Sequence, residues 1–236
     1  MTSLLSKAGT NAKTVKGDGA EYVTRVMYLA PADIVEGVNV CPMAVLAGCK
    51  AGCLYSAGRG QMNSVQASRM RKTILWRDWR EVFVQQVTSE IEAFQRAGAR
   101  KGFTPCVRLN GTSDIQWENY IPMEKFPDVQ FYDYTKIGKR LVNQNRLSHN
   151  YHLTLSYSEA NPEYADMCKD VLSKNPRANI AVVFRDKATI PAEFLGRKVI
   201  DGDKDDLRFL DAEGVVVGLY AKGKAKKDTS GFVIDV

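Results

Sequence analysis

At 236 residues, with 44% hydrophobic and 25% charged residues, the chain is typical of a globular protein that buries a sizeable core. No apolar run approaches the roughly 20 residues that a membrane-spanning helix needs, so we expect no membrane partner. The net charge of +6 is a mild basic bias, compatible with a nucleic-acid or phosphate-bearing partner.

The beginning of the chain differs in composition from the rest. Residues 1–19 are rich in Ser, Thr, Lys and Gly and contain no apolar signal core, which predicts a flexible N-terminal segment and no secretory signal. We therefore expect a cytoplasmic protein with reduced thiols. No linker composition interrupts residues 20–236, which are predicted to form a single α/β domain.

Strand and helix patterns alternate along that domain. Strand patterns, rich in β-branched and aromatic residues, cover residues 21–30, 105–110, 129–134, 151–156, 179–184, 198–201 and 215–221. Helical patterns cover residues 64–97 in two pieces, 137–146 and 162–174. This alternation predicts a mainly parallel sheet that forms a partial or irregular TIM-like barrel.

Three cysteines, Cys41, Cys49 and Cys53, lie in a glycine-containing loop after the first predicted strand. Three thiols do not make a disulfide framework and are one short of a closed zinc site. They are the number expected for an iron–sulfur cluster with one open iron, since clusters are otherwise held by four cysteines. A zinc site and three buried thiols without metal remain the alternatives. The fourth ligand of a zinc site would come from His149, His152 or Cys106.

Polar side chains follow several predicted strands at their carboxyl ends, where parallel sheets bind ligands. They belong to Asn110, Thr112, Ser113, Asp114, Tyr132, Asp133, Lys136, Ser156, Ser158, Glu159 and Arg185, and Gly111 lies among them in the turn after the second strand. The cysteine loop also follows a strand, so we expect these groups to meet at one rim. The acidic run 201–206 lacks the full pattern of a calcium loop and is predicted to be a solvated turn, although Asp201 or Asp203 could point into the mouth.

The order of these parts resembles the radical S-adenosylmethionine superfamily in layout, over about residues 22–221. The resemblance implies a [4Fe–4S] cluster on Cys41, Cys49 and Cys53, with S-adenosylmethionine beside it. It places Asn110, Gly111, Thr112, Asp114, Ser156 and Glu159 around the cofactor. In our hypothesis Tyr132, Asp133, Lys136 and Arg185 face the substrate. The cysteine spacing is C-x7-C-x3-C instead of the usual C-x3-C-x2-C, so the resemblance implies no subclass.

The whole chain also resembles an uncharacterised protein family of phages and mobile elements, whose members carry runs similar to CLYSAGRG, RLNGTSD and FYDYTK. That resemblance implies a host-cytoplasmic protein.

Our first hypothesis is an iron–sulfur enzyme of the radical S-adenosylmethionine type, acting on a small molecule or nucleotide that the sequence does not identify. One alternative is a zinc-stabilised nucleic-acid-binding protein, with the basic segments 59–72 and 222–227 contacting phosphates. The other is a metal-free barrel that binds a small ligand. The sequence gives no indication of the oligomeric state.

Overall fold

The computed structural model describes residues 3–10, 14, 21–53, 55, 57–143 and 147–236. In that part of the chain the strands are β1 Tyr22–Val26, β2 Thr104–Arg108, β3 Gln130–Thr135, β4 Tyr151–Ser156, β5 Ile180–Phe184, β6 Glu193–Phe194, β7 Arg197–Asp201 and β8 Val216–Tyr220. The α-helices are α1 Asn63–Asp78, α2 Arg80–Lys101, α3 Lys139–Val142 and α4 Pro162–Lys174.

The strands form one eight-stranded sheet in the order β1-β2-β3-β4-β5-β8-β7-β6. Every neighbouring pair is parallel except the hairpin of β6 and β7. The sheet is not closed, because β1 and β6 form its two edges. The mainly parallel α/β sheet is therefore confirmed, whereas a TIM-like barrel is not. All seven predicted strands are present, and the two-residue strand β6 is additional.

The ends of the helices follow from local sequence. At the start of α4 the Asn161 side chain accepts a hydrogen bond from the Tyr164 N–H, and Pro162 fits the first turn. At the end of α2, Gly102 adopts φ +74°, a conformation that favours glycine. The helix α3 is much shorter than the helix predicted over 137–146, of which residues 144–146 lie outside the described part of the chain.

The two faces of the sheet are covered differently. Successive side chains of a strand point to opposite faces. Val107 and Phe131 face the helices and belong to the main core. Cys106 and Tyr132 point the other way, where residues 203–211, between β7 and β8, cover the sheet. We call this stretch the 203–211 segment. One face is thus a helix-packed core, and the other is closed by a loop.

The 203–211 segment contacts the sheet through apolar side chains. Leu207 is buried against Cys106 and Tyr132. The Phe209 ring packs edge-on against the rings of Tyr22 and Tyr132, with both pairs of ring centres 5.4 Å apart. These contacts involve only two apolar side chains of the segment, so its packing is much smaller than that of the helices.

Part of the N-terminal segment is docked on the domain. Leu4 and Leu5 are buried, and their N–H groups each donate to the Glu90 carboxylate on α2 at 2.8 Å. Leu4 and Leu5 thus depart from the expected flexible segment, since their burial offsets the entropy lost on ordering them. The rest of that segment lies outside the described residues, apart from Thr14.

Candidate active site

The cysteine loop lies over the carboxyl edge of the sheet and rests on the loop after β4. Ser158 donates from Oγ to the carbonyl oxygen of Ala47 at 2.8 Å. Gly48 adopts φ +66°, and a Cβ at this position would clash with Ala160. The close approach of these two loops requires the glycine. The predicted placement of the cysteine loop at the edge where the parallel strands end is therefore found.

The three thiols of this loop are half-buried and hydrogen-bonded to nearby backbone. Cys41 Sγ lies 3.6 Å from the carbonyl oxygen of Thr112, and Cys49 Sγ lies 3.7 Å from that of Ala44. Cys53 Sγ accepts a hydrogen bond from the Tyr55 N–H at 3.5 Å. Hydrogen bonds to sulfur are weak, so breaking them to bind a metal would cost little free energy.

All three thiols interact electrostatically with the ammonium of Lys136, which follows β3. Burial disfavours the charged form of Lys136, but Cys49, Asp114, Cys41 and Cys53 outweigh this and raise its pKa. Burial raises the pKa of Cys41 to about 12, although Lys136 opposes the shift. Burial also raises the pKa of Cys53, and the electrostatic interaction with Cys49 acts in the same direction. The three thiols therefore share one neighbourhood around a cation.

A second cation, Arg69 on α1, is buried beside this neighbourhood. Its side chain stacks over Tyr28 and Tyr55, with the guanidinium carbon 4.8 and 5.4 Å from the ring centres. Arg69 is only 8% exposed, and its Nε and Nη1 have no hydrogen-bond partner within the described residues. Burial lowers the pKa of Arg69, and Cys53 is among the groups that oppose this. The guanidinium thus has donors available for an acceptor that the described residues do not supply.

The polar turn after β2 is held together by its own side chains. Asn110 Oδ1 accepts hydrogen bonds from Ser113 Oγ, the Ile115 N–H and Trp117 Nε1, at 2.8 to 3.0 Å. Asn110 Nδ2 donates to the Ile115 carbonyl oxygen. Thr112 Oγ1 donates to the carbonyl oxygen of Leu29 at 2.5 Å. Asn110 and Thr112, expected to bind the cofactor, use these groups to build the turn.

Gly111 does not adopt a positive φ, so its role in the turn is one of space. A Cβ at this position would lie 2.6 Å from the Met27 carbonyl oxygen and 2.6 Å from the Tyr28 ring. The missing side chain therefore lets the turn approach the extension of β1. The turn also contacts the cysteine loop, as expected, since the Asp114 N–H donates to the Val40 carbonyl oxygen at 2.7 Å.

The Asp114 carboxylate is the centre of a buried polar network. It accepts from Thr135 Oγ1 at 2.8 Å, from the Lys136 N–H at 2.7 Å and from Arg140 Nη1 at 3.4 Å. Arg140 also forms a two-bond pair with Glu118, at 2.9 and 2.7 Å. Burial raises the pKa of Asp114, although the Lys136 N–H opposes the shift. The network fixes the end of β3 and hence the backbone of Lys136.

Tyr132 and Asp133 point to opposite faces of the sheet. Asp133 faces the helices, where its carboxylate accepts from the Asn110 N–H at 2.9 Å and from the Tyr151 hydroxyl at 3.0 Å. Burial raises the pKa of Asp133 to about 7. Tyr132 lies under the 203–211 segment, and its hydroxyl donates to Thr24 Oγ1 at 3.4 Å. These neighbours in sequence therefore do not meet at one site.

Other residues expected at the rim secure loops. The carbonyl oxygen of Ser156 accepts from the Tyr164 hydroxyl, and Glu159 Oε1 accepts from the Tyr157 hydroxyl. Arg185 donates twice to the Asp235 carboxylate and also to backbone carbonyl oxygens of the C-terminal segment. Arg185 thus anchors the C-terminal segment, and Lys136 is the one expected substrate-side residue that lies beside the cysteines.

Metal-binding geometry is not formed among the residues that the structure describes. No group of three or more His, Cys, Asp or Glu side chains in this part of the chain is placed to hold a metal ion. His152 pairs in register with Tyr132, so it lies on the face away from the helices. Burial lowers its pKa to about 4, which keeps the ring neutral. For the three thiols to bind one metal centre, the cysteine loop would have to adjust.

The expected basic surfaces are partly directed inward. Arg69 is buried, and Lys72 donates to the Leu4 carbonyl oxygen at 2.6 Å. Lys222 pairs with Asp203. The acidic run is not a solvated turn, because Asp203 and Asp206 are buried in ion pairs.

Sequence reasoning did not identify Arg69 or the Asp114–Arg140 network as parts of the site. The signal for Arg69 would have been a basic residue at the buried positions of α1, which it shares with Thr73 and Trp76. Arg140 carried no such signal, because its acidic partners lie 22 and 26 residues away.

No helix in the described part of the chain combines the length and apolar character needed to cross a membrane.

Comparison with curated proteins and with solved structures found no match. A family model for Gene product 88 matches residues 3–236, nearly the whole chain. The chain therefore belongs to the Gene product 88 family, in agreement with the phage-type family expected from its sequence.

Proposed function

We propose that the protein is an iron–sulfur enzyme of the radical S-adenosylmethionine type, acting on a small molecule or nucleotide. One observation carries the proposal: three thiols of the loop after β1 share a neighbourhood with the Lys136 ammonium at the carboxyl edge of a parallel sheet. Ligands of such sheets bind at this edge. The serial order of β1 to β5 also supports the partial barrel that the resemblance implies.

The donor chemistry of the site fits a cluster. Cysteine thiolates are the ligands of iron–sulfur clusters, and three of them leave one iron open. A nearby cation favours the thiolate form, and the Lys136 charge opposes the burial that raises the pKa of Cys41. Nε and Nη1 of Arg69, for which the described residues offer no hydrogen-bond partner, supply donors for an anionic group. The geometry of the cysteine loop does not match a cluster site in this structure, because the three thiols bond to backbone groups instead of converging on one point.

The residues have distinct roles in this proposal. Cys41, Cys49 and Cys53 would hold the cluster. The Lys136 ammonium would reduce the electrostatic repulsion among their three thiolates. Arg69 would donate to an anionic group of the bound cofactor or substrate. When bound, a reduced [4Fe–4S] cluster would supply the electron that cleaves the sulfonium of S-adenosylmethionine. The turn from Asn110 to Asp114 would support the site through its backbone, because its side chains are engaged in internal bonds.

The test is anaerobic reconstitution with iron and sulfide, followed by metal analysis and electron paramagnetic resonance of the dithionite-reduced protein. We expect about four irons and four sulfides per chain and a spectrum typical of a reduced [4Fe–4S] centre. Replacing any one of Cys41, Cys49 and Cys53 by Ser should abolish this signal. Cys168→Ala is the matched control, because Cys168 is buried in α4, outside the loop.

Other outcomes would replace this proposal with one of its alternatives. Stoichiometric zinc in the protein as purified, lost in the loop variants, would favour a zinc-stabilised binding protein. Absence of any metal after reconstitution would favour a metal-free ligand-binding protein. A cluster that forms while calorimetry detects no S-adenosylmethionine binding would keep the iron–sulfur assignment and reject the enzyme type.

A further inference from the structure

A buried ion pair lies on the face of the sheet opposite the helices. Arg108, the last residue of β2, donates from Nη1 to Asp206 Oδ2 at 2.6 Å. The two side chains are 7% and 0% exposed. Arg108 belongs to the sheet, whereas Asp206 belongs to the 203–211 segment. The carboxylate that neutralises a cation of the sheet is thus supplied by a covering loop.

Arg108 lies among aromatic rings and near a second guanidinium group. Its guanidinium carbon lies 5.6 Å from the centre of the Tyr132 ring and 5.1 Å from that of Tyr134. Arg208, in the segment itself, is only 1% exposed, and its Nη2 donates to the Asp205 carboxylate at 3.1 Å. Two guanidinium groups and two phenol rings are therefore gathered on one buried face. Guanidinium groups bind carboxylates and phosphates through paired hydrogen bonds.

Both guanidinium groups retain donors that the described part of the chain does not use. Within the described residues, Arg108 Nε and Arg208 Nε have no hydrogen-bond partner, although both atoms are buried. Buried donors are normally satisfied, so each unused donor calls for an explanation. A group with several acceptor oxygens would occupy more of these donors than Asp206 does. An external oxyanion that reached this face would meet these two donors in addition to those paired with Asp206, Asp205 and Asp211.

The 203–211 segment is attached in a way that allows it to move. Next to β7, Asp203 is fixed by Lys222 and by the Tyr220 N–H. Next to β8, Gly214 adopts φ +72°. Between these ends, the apolar contacts with the sheet come from Leu207 and Phe209. A loop with fixed ends and few apolar contacts can open without unfolding the sheet.

We infer that the 203–211 segment is a displaceable plug, and that the face beneath it binds a small oxyanion-bearing molecule whose phosphate or carboxylate replaces Asp206 on Arg108. In the closed state Asp206 stands in for that group. On opening, Asp206 is rehydrated and Arg108 pairs with the ligand, so one buried ion pair is exchanged for another. The inference requires no metal. If the proposed function also holds, this face is where its substrate would bind, because Arg108 lies two residues before the turn at the cysteine loop.

The first test measures binding of inorganic phosphate by calorimetry at constant ionic strength, with chloride as the compensating salt. Asp206→Asn removes the competing carboxylate, and we expect it to bind phosphate at least tenfold more tightly than the wild type. Adding Arg108→Gln to this variant should abolish the gain. Asp170→Asn is the matched control, because it removes one carboxylate from an exposed pair with Lys174 on α4, on the other side of the sheet, so its affinity should equal that of the wild type. Acetate in place of phosphate distinguishes a carboxylate ligand from a phosphate ligand.

The second test uses the unaltered protein, which covers the case that Asp206→Asn fails to fold. Hydrogen exchange is followed by mass spectrometry as phosphate or acetate is added. Displacement of the plug should accelerate exchange of the amides of residues 203–211 while those of β2 stay protected. Unchanged or slower exchange of the segment at saturating anion would overturn the inference. So would a folded Asp206→Asn variant that binds neither anion more tightly than the wild type.

Discussion

Tyr151 donates its phenolic hydrogen to Asp133 Oδ2 at 3.0 Å, across the neighbouring strands β4 and β3 and inside the helix-packed core. Burial raises the pKa of this carboxyl from 3.8 to about 7. Between about pH 4 and pH 7 the folded state therefore binds a proton that the unfolded state has lost. Stability falls as the pH rises through this window, because the unfolded chain binds fewer protons there.

Replacing Asp133 by Asn should remove that pH dependence. The amide keeps the shape of the protonated carboxyl and carries no charge at any pH. We expect the stability cost of Asp133→Asn, measured by urea unfolding, to be smaller at pH 8 than at pH 5 by at least about 1 kcal/mol. Asp166→Asn, on the exposed side of α4, is the control and should show no such trend. An equal cost at both pH values would show that Asp133 is ionised in the folded protein throughout.

Gly111→Ala should destabilise the protein by about 1–3 kcal/mol, as overpacking does at tight sites. The added methyl group would meet the Met27 carbonyl oxygen and the Tyr28 ring at 2.6 Å, and backbone atoms cannot rotate away. Thermal unfolding measures the loss. Gly52→Ala is the control, since its Cβ would lie no closer than 3.3 Å to another atom, a carbon of the Phe232 ring. A Gly111→Ala variant as stable as the control would contradict the close approach of the two chain segments.

Lys136→Met should slow alkylation of Cys41 several-fold in the metal-free protein. Burial raises the pKa of Cys41 to about 12, and the Lys136 charge opposes that shift. Loss of the charge therefore raises the pKa further and lowers the thiolate fraction, which is the reactive form. The rate is read by peptide mass spectrometry with iodoacetamide at pH 8. Lys139→Met, at the exposed start of α3, should leave the rate unchanged; an equal effect of both substitutions would argue against a specific Lys136–Cys41 interaction.

Glu90→Gln should release the N-terminal segment. The carboxylate accepts the N–H groups of Leu4 and Leu5 and the Ser3 hydroxyl. Burial opposes ionisation of Glu90, but these hydrogen bonds outweigh it and lower its pKa. We expect a loss of about 1–2 kcal/mol and faster proteolysis before residue 21. Glu92→Gln, at an exposed position of α2, should change neither. Equal protease resistance of the Glu90→Gln variant would mean that Leu4 and Leu5 are sufficient to hold the segment.

The sheet could be predicted because its signals are local. Each of the seven predicted strands is a short apolar run bounded by turn residues, and buried parallel strands have that pattern. Strand β6 was missed because two residues carry no pattern. The 137–146 helix was overestimated, since the described helix α3 ends at Val142.

The site was harder to predict because its pairings are not local. The sequence around Asp206 predicted a solvated acidic turn. Its partner in the structure is Arg108, which lies 98 residues earlier in the chain. The position of Asn110 after a strand predicted a ligand-binding residue. In the structure its Oδ1 instead accepts hydrogen bonds from the Ile115 N–H and Trp117 Nε1. Polar side chains near a strand end can serve a ligand or the loop itself, and only the fold distinguishes the two. Lys136 lies beside the cysteines, at the rim where the sequence placed both, and its role toward a substrate stays a prediction.

The strand order has a consequence for synthesis on the ribosome. From β1 to β5 each strand pairs with the strand made just before it, so the sheet can grow as the chain emerges. That succession breaks only at the end, where β8 inserts between β5 and β7. Residues 203–211 are therefore made after five strands can already have paired. Until they arrive, Arg108 and Tyr132 of the nascent protein face water, and the contact between Arg108 and Asp206 is among the last to form.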